Sequence, residues 1–194
     1  CAKFNNYMKN ILLTGATGFV GRQIVKALSQ QNVNIIAVVR PGKEINFKKI
    51  TNIKKIISSQ DIFKENENWW TNHCKGIDTI IHAAWYAEPG KYLQSSKNVD
   101  CLIGSLHLAR GAANAGVTRF IGIGTCFEYD LSKGALSIDT PLKPKSSYAS
   151  AKVALFTFLS QWLPKQSVKF SWCRLFYLYG EGEDERRLVP YIHN

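Results

Sequence analysis

Apolar residues gather in six short runs, at 11–13, 33–39, 53–57, 77–83, 120–123 and 168–175. Each run is nearly continuous rather than alternating, as in strands buried on both faces. Between most of them the apolar spacing becomes helical: over 19–31, in a shorter stretch around 62–75, over 91–115 and over 147–163. In the first of these Val20, Ile24, Ala27 and Leu28 share one face. Strands alternating with helices predict a parallel sheet covered on both faces, the doubly wound α/β class. No internal repeat, low-complexity tract or linker interrupts it.

The first turn holds the densest chemistry. Ile11-Leu12-Leu13 leads into Thr14-Gly15-Ala16-Thr17-Gly18-Phe19-Val20-Gly21. Strand, glycine turn and helix in that order can bind a dinucleotide pyrophosphate through free N–H groups and the helix dipole. A plain tight turn also uses glycine, so the later positions add the weight. The second run ends in Arg40, where a carboxylate would bond the 2′-hydroxyl of NAD and an arginine can pair the 2′-phosphate of NADP. Lys43 adds charge nearby, and NADP is the expected cofactor, with NAD possible. Asp61 can accept from an adenine amino group or cap a helix beginning there.

Three further places carry candidate chemistry. The fourth run reads Asp78-Thr79-Ile80-Ile81-His82-Ala83-Ala84-Trp85, whose small residues leave space at a strand's carboxyl end. His82, alone in an apolar strand, is read as a packed core histidine. Asn98 is read as a cap or brace for a neighbouring strand. Thr125 closes the fifth run at the edge where such sheets bind ligands. After Pro141 and Pro144, Ser146 or Ser147 can cap a helix carrying Tyr148-Ala149-Ser150-Ala151-Lys152. Phenol and ammonium four residues apart share a face, and a cation beside a tyrosine lowers its pKa toward acid–base work.

Composition narrows the partners. With 194 residues and 45% hydrophobic content the chain can build one sizeable core. No apolar run is long enough for a membrane span, and the start lacks a signal peptide's apolar core. Cys1, Cys74, Cys101, Cys126 and Cys173 are scattered without ligand spacing, which points to free thiols, a cytoplasmic location and no metal site. The net charge of +11 includes a cluster at Lys43, Lys48, Lys49, Lys54 and Lys55. No zinc-finger or RNA-recognition signature accompanies it, so nucleic acid is not the expected partner.

Taken in order, Thr14 to Gly21, Asp61, Asp78 with His82-Ala83-Ala84, Asn98, Thr125 and Tyr148/Lys152 resemble the short-chain dehydrogenase/reductase superfamily. The pattern looks like its extended branch, the NAD-dependent epimerase/dehydratase family, and within it the nucleotide-sugar 4-ketoreductases. The resemblance implies a Rossmann domain over residues 9–180. Residues 1–8 are then expected to be a leader or disordered. Residues 181–194, with the charge run 181–187, would open a substrate region that the given sequence cuts short.

By the same resemblance Tyr148 is the catalytic acid–base, Lys152 lowers its pKa and holds the nicotinamide ribose, and Thr125 bonds the reacting oxygen. The implied cofactor set is Gly15, Thr17, Gly18, Phe19, Val20, Gly21, Arg40, Asp61, Ile62, Ala83, Ala84, Trp85, Asn98, Tyr148 and Lys152, with Phe176 and Tyr177 along the nicotinamide. Tyr86, Thr125, Cys126, Phe127 and Tyr148 would face a nucleotide-diphosphate sugar; Arg174 is expected to be structural. The family's 4,6-dehydratases carry Asp-Glu directly after the threonine, where this chain has Cys126-Phe127. Glu128 falls one position late and, on a strand's alternation, points the other way, so dehydration is not expected. The implied reaction is NADPH-dependent reduction at C4 of a nucleotide-linked 4-keto-6-deoxyhexose. The alternatives are an NAD-dependent C4 epimerase and a non-catalytic dinucleotide sensor. A homodimer paired through 91–115 and 147–163 is what the family suggests.

Overall fold

The computed structural model describes residues 8–47 and 50–184. The expected leader at 1–7, Lys48 and Lys49 of the basic cluster, and positions 185–194 of the terminal region lie outside them. Six strands form one sheet: β1 (Lys9–Thr14), β2 (Val33–Val39), β3 (Ile53–Ser58), β4 (Thr79–His82), β5 (Arg119–Thr125) and β6 (Lys169–Leu175). Their order is β3-β2-β1-β4-β5-β6, and every pairing is parallel. This is the Rossmann order, wound outward in two directions from β1 and β4. The reversal opens a crevice at the carboxyl ends of those two strands.

Alternation along each strand builds two cores. Leu12, Ile36, Val38, Ile80 and Phe120 point to one face, against the helices α2 (Glu67–His73), α3 (Lys97–Asn114) and α4 (Ser147–Lys165). Ile11, Leu13, Ala37, Val39 and Ile81 point to the other, against Val25 of α1 (Phe19–Leu28) and Phe47. Leu155, Leu159 and Leu163 repeat every fourth residue on α4 and are all fully buried. Truncating one such leucine to alanine costs about 2–5 kcal/mol. That row seats the helix carrying Tyr148 and Lys152.

The helices depart from the sequence pattern where polar side chains intervene. The stretch 91–115 is not one helix: a short 3₁₀ turn at Tyr92–Gln94 precedes α3, and Ser95 between them is extended. Asn98 donates to the carbonyls of Tyr92 and Ser95, and Ser95 Oγ accepts from Lys97 N–H, which supplies a local alternative to helix. Helix α2 starts only at Glu67, with Asn66 Oδ1 accepting from Trp69 N–H at 2.9 Å. Ser146, rather than Ser147, caps α4. That helix runs past 163 to Lys165 with Pro164 in its last turn, and Ser167 follows at a φ of 60°.

Candidate functional site

The glycine turn is built from backbone. Gly15 sits at a φ of 74°, a left-handed conformation that a Cβ disfavours, and a Cβ there would stand 2.7 Å from Ala84 N. Gly21 is buried directly on Gly15, with no room for a side chain between helix and turn. Gly18 is different: it is exposed and meets ordinary contact only, at 3.4 Å from the Gly15 carbonyl. Gly18 also stands at the N-cap of α1 without a side-chain cap. The first-turn N–H groups of Phe19, Val20 and Gly21, beside half-buried Thr17, are left for an anion. A pyrophosphate fits this cradle.

Across the crevice, Ala83 and Ala84 follow β4 and are half-buried. Arg40 is exposed just beyond β2, as is Lys43. Asp61 Oδ1 accepts from Phe63 N–H, so it closes a turn and caps no helix. Its neighbour Ile62 packs on the larger core. Phe176 and Tyr177, 50% and 77% exposed, lie just beyond β6, and Tyr177 makes an edge contact with Phe127 at 6.1 Å. The chain then returns to α1, where Arg22 Nη2 donates to the Gly182 carbonyl at 2.8 Å.

The other end of the site is built from side chains. Tyr148 projects from the first turn of α4 beside Thr125 at the end of β5, whose side chain favours the phenolate. Lys152, 3% exposed, donates from Nζ to the Ile123 carbonyl at 2.7 Å. Its ammonium lies 3.8 Å from the ring centre of Trp85 and 5.8 Å from that of Trp172. Burial pulls Lys152 down to about 7, opposed by Glu128 and Cys101. The expected lowering of Tyr148 by Lys152 is not found. Burial pushes the phenol well above the usual tyrosine range; Tyr92, Glu128 and Cys126 raise it further, and only Thr125 lowers it.

Several candidates are taken up by the scaffold. His82 joins Thr14 Oγ1 at 2.7 Å to Ser105 Oγ at 2.8 Å, and burial drops its pKa to about 3, so it stays neutral. Asn98 is 1% exposed; besides its two carbonyl contacts its Oδ1 accepts from Trp85 Nε1 at 2.8 Å. Asn98 is therefore a brace beneath Trp85, with no free polar atom turned to a cofactor. Tyr86 donates to Glu88 at 2.9 Å and lies under Lys97. Cys126 is buried beside Thr125, with its thiol pKa raised mainly by burial.

Glu128 corrects a sequence expectation. Residues Cys126–Glu128 form a 3₁₀ turn instead of continuing the strand, so strand alternation does not set their direction. Thr125 caps the turn, and Glu128 folds back to accept from Thr125 N–H at 2.8 Å. Glu128 is fully buried and also accepts from Trp172 Nε1 and, at 2.7 Å, from Arg174 Nε. Arg174 in turn stacks on Phe156 and Tyr129, the structural role expected for it. No sequence signal at Glu128 itself announced these partners, which lie more than forty positions away.

Among the described residues no group of three or more His, Cys, Asp or Glu side chains could hold a metal ion. No helix there is long and apolar enough to cross a membrane. Cys74, Cys101, Cys126 and Cys173 are free thiols.

Known proteins are similar to this chain in sequence and fold. A dTDP-6-deoxy-L-talose 4-dehydrogenase (NAD(+)) from Aggregatibacter actinomycetemcomitans is 25% identical over 176 residues, 89% of this chain and 62% of that protein. A UDP-glucose 4-epimerase from Neisseria meningitidis serogroup A is 29% identical over 206 aligned residues, covering 94% of this chain and 56% of the epimerase. The chain thus spans roughly three-fifths of the length of these relatives. Among solved structures, a dTDP-glucose 4,6-dehydratase from Streptomyces venezuelae with NAD and TYD bound superposes with a TM-score of 0.76. It is 21% identical, over 94% of this chain and 59% of its own, a likeness of fold. The model of the NAD dependent epimerase/dehydratase family matches residues 11–194. With the parallel sheet, the glycine cradle and the Tyr148–Thr125 pair in place, the chain belongs to that family.

Proposed function

We propose that this chain carries the dinucleotide-binding part and the acid–base residue of a nucleotide-sugar oxidoreductase. In this reading it reduces C4 of a nucleotide-linked 4-keto-6-deoxyhexose with NADPH. The observation that carries it is the convergence of Tyr148 and Lys152, one turn apart on α4, on the carboxyl end of β5, where Lys152 Nζ holds the Ile123 carbonyl and Thr125 adjoins the phenol. Bound along the crevice, the dinucleotide would supply the hydride. Tyr148 donates the proton that the new hydroxyl requires, and Thr125 stabilises the developing negative oxygen. Burial holds the phenol protonated, which is the form a proton donor needs. Dehydration has no support, because Cys126 and Phe127 replace the acid–base pair and the Glu128 carboxylate is occupied internally.

Exposed Arg40, with no carboxylate in its place, supports NADPH as the preferred reductant. The second reading is an NAD-dependent C4 epimerase, favoured by the likeness to a UDP-glucose 4-epimerase. Pairing of two copies would use the outer faces of α3 and α4, where Val99, Ile103 and Phe158 are 59%, 47% and 50% exposed. Free thiols suit a reducing cytoplasm.

Titration with NADPH and NADH beside turnover on 4-keto-6-deoxy nucleotide sugars tests the reading. NADPH consumption with tighter NADPH binding is expected. Interconversion of C4 epimers without added cofactor would replace it with the epimerase, and dinucleotide binding without any turnover would leave a sensor.

A further inference from the structure

The carboxylate of Glu128 lies inside the protein with every neighbour arranged around it. Gly122 and Gly124 leave the space in which the Trp172 indole lies, for a Cβ at either would strike that ring. The indole N–H reaches Glu128 at 3.1 Å, while the same ring lies 5.8 Å from the Lys152 ammonium. Lys152 is anchored to the Ile123 carbonyl, and Glu128 to the Thr125 N–H two residues on. The last turn of β5 therefore holds the ammonium and the carboxylate together.

We propose that Glu128 is a positioning residue of the site: it fixes Thr125 through its backbone amide and keeps the ammonium of Lys152 charged. The proposal rests on the assignment of Thr125, Tyr148 and Lys152 made above. Its electrostatic part is supported by the groups facing Lys152. These are His82 from β4, Cys101 from α3, and Glu128, itself bonded to Arg174 of β6. His82 is neutral, and Glu128 is the foremost group opposing the burial that discharges Lys152. Arg174 Nε holds the same carboxylate at 2.7 Å. Removing the carboxylate therefore lets burial win, and the lysine releases its proton at lower pH.

The test uses the intact protein with Glu128→Gln, and with Glu128→Gln combined with Arg174→Met. Glutamine keeps the shape and an acceptor for Thr125 N–H. The double variant avoids leaving a buried guanidinium alone, which by itself can unfold a protein. Lysine Nζ resonances followed by ¹⁵N NMR across pH, with Lys152 assigned through Lys152→Met, read the charge directly. Both variants should lower the proton affinity of Lys152 at least ten-fold and move the alkaline limb of the kcat profile by the same amount. Glu128→Asp should retain the wild-type titration. A Lys152 titration unchanged in the folded double variant would overturn the proposal, because Glu128 would then be only a strut between β5 and β6. If the wild type turns over no nucleotide sugar, the assigned function fails while the titration still decides the role of Glu128.

Discussion

The two ends of the crevice are made from different materials. Around Gly15, Gly18 and Gly21 the site is backbone, shaped by the side chains that are missing. Around Thr125, Tyr148 and Lys152 it is a packed set of side chains, with a buried carboxylate and two indoles behind the ammonium. The first end is governed by steric fit and has no titrating group within the turn. The second is governed by charge in a dry environment, so its behaviour depends on pH. Substitutions should therefore act through volume at one end and through protons at the other.

The sharpest break of this contrast is at Gly21. Gly21→Val drives a branched side chain into the Gly15 backbone and should cost several kcal/mol, seen as a loss of cooperative thermal unfolding. Gly18→Val, with open surroundings, should leave Tm within a few degrees and weaken dinucleotide binding instead. Equal damage at both positions would show that the turn is under uniform strain. At the other end, Tyr148→Phe should lower kcat at least about 100-fold and leave dinucleotide Kd within about two-fold, by stopped-flow and fluorescence titration. An active Tyr148→Phe protein would remove the proposed proton donor.

Stability against pH separates the ends further. Lys152 is held at about 7 in the fold, against about 10.5 in an unfolded chain, so the unfolded state binds the extra proton between these values. Stability should rise by about 5 kcal/mol as pH increases through that window, and Lys152→Met should flatten the slope in urea melts. His82 works at the acid side: its pKa is about 3 folded and 6.5 unfolded, so its contribution is complete above 6.5 and is lost as pH falls toward 3. The smallest expected effect is at exposed Arg40. Arg40→Ala should weaken NADPH about 3–10-fold and NADH much less, by calorimetry. Equal losses for both would separate Arg40 from the 2′-phosphate.

The contrast also divides what the sequence could reveal. The near-continuous apolar runs, the glycine turn and the Tyr148/Lys152 spacing are local, and local spacing is what periodicity reads. Glu128 leaves no such trace, because a 3₁₀ turn ends the strand alternation at Cys126 and its partners Trp172 and Arg174 lie 44 and 46 positions away. The placement of Trp85 on Lys152 depends on the Asn98 brace, whose amide also splits the stretch 91–115. Polar side chains that bond to distant or irregular backbone leave no periodic trace.

The reversal of strand order carries a last consequence. Residues up to Ser58 and residues from Thr79 onward meet within the sheet along one seam, from Ile11 beside Thr79 to Thr14 beside His82. The seam is not the whole junction, because Leu12, Ile36, Val38 and Ile57 of the first half share one core with Trp70, Ile80 and Leu108 of the second. A transplant of the first half would therefore have to bring matching helix faces as well as a matching strand edge.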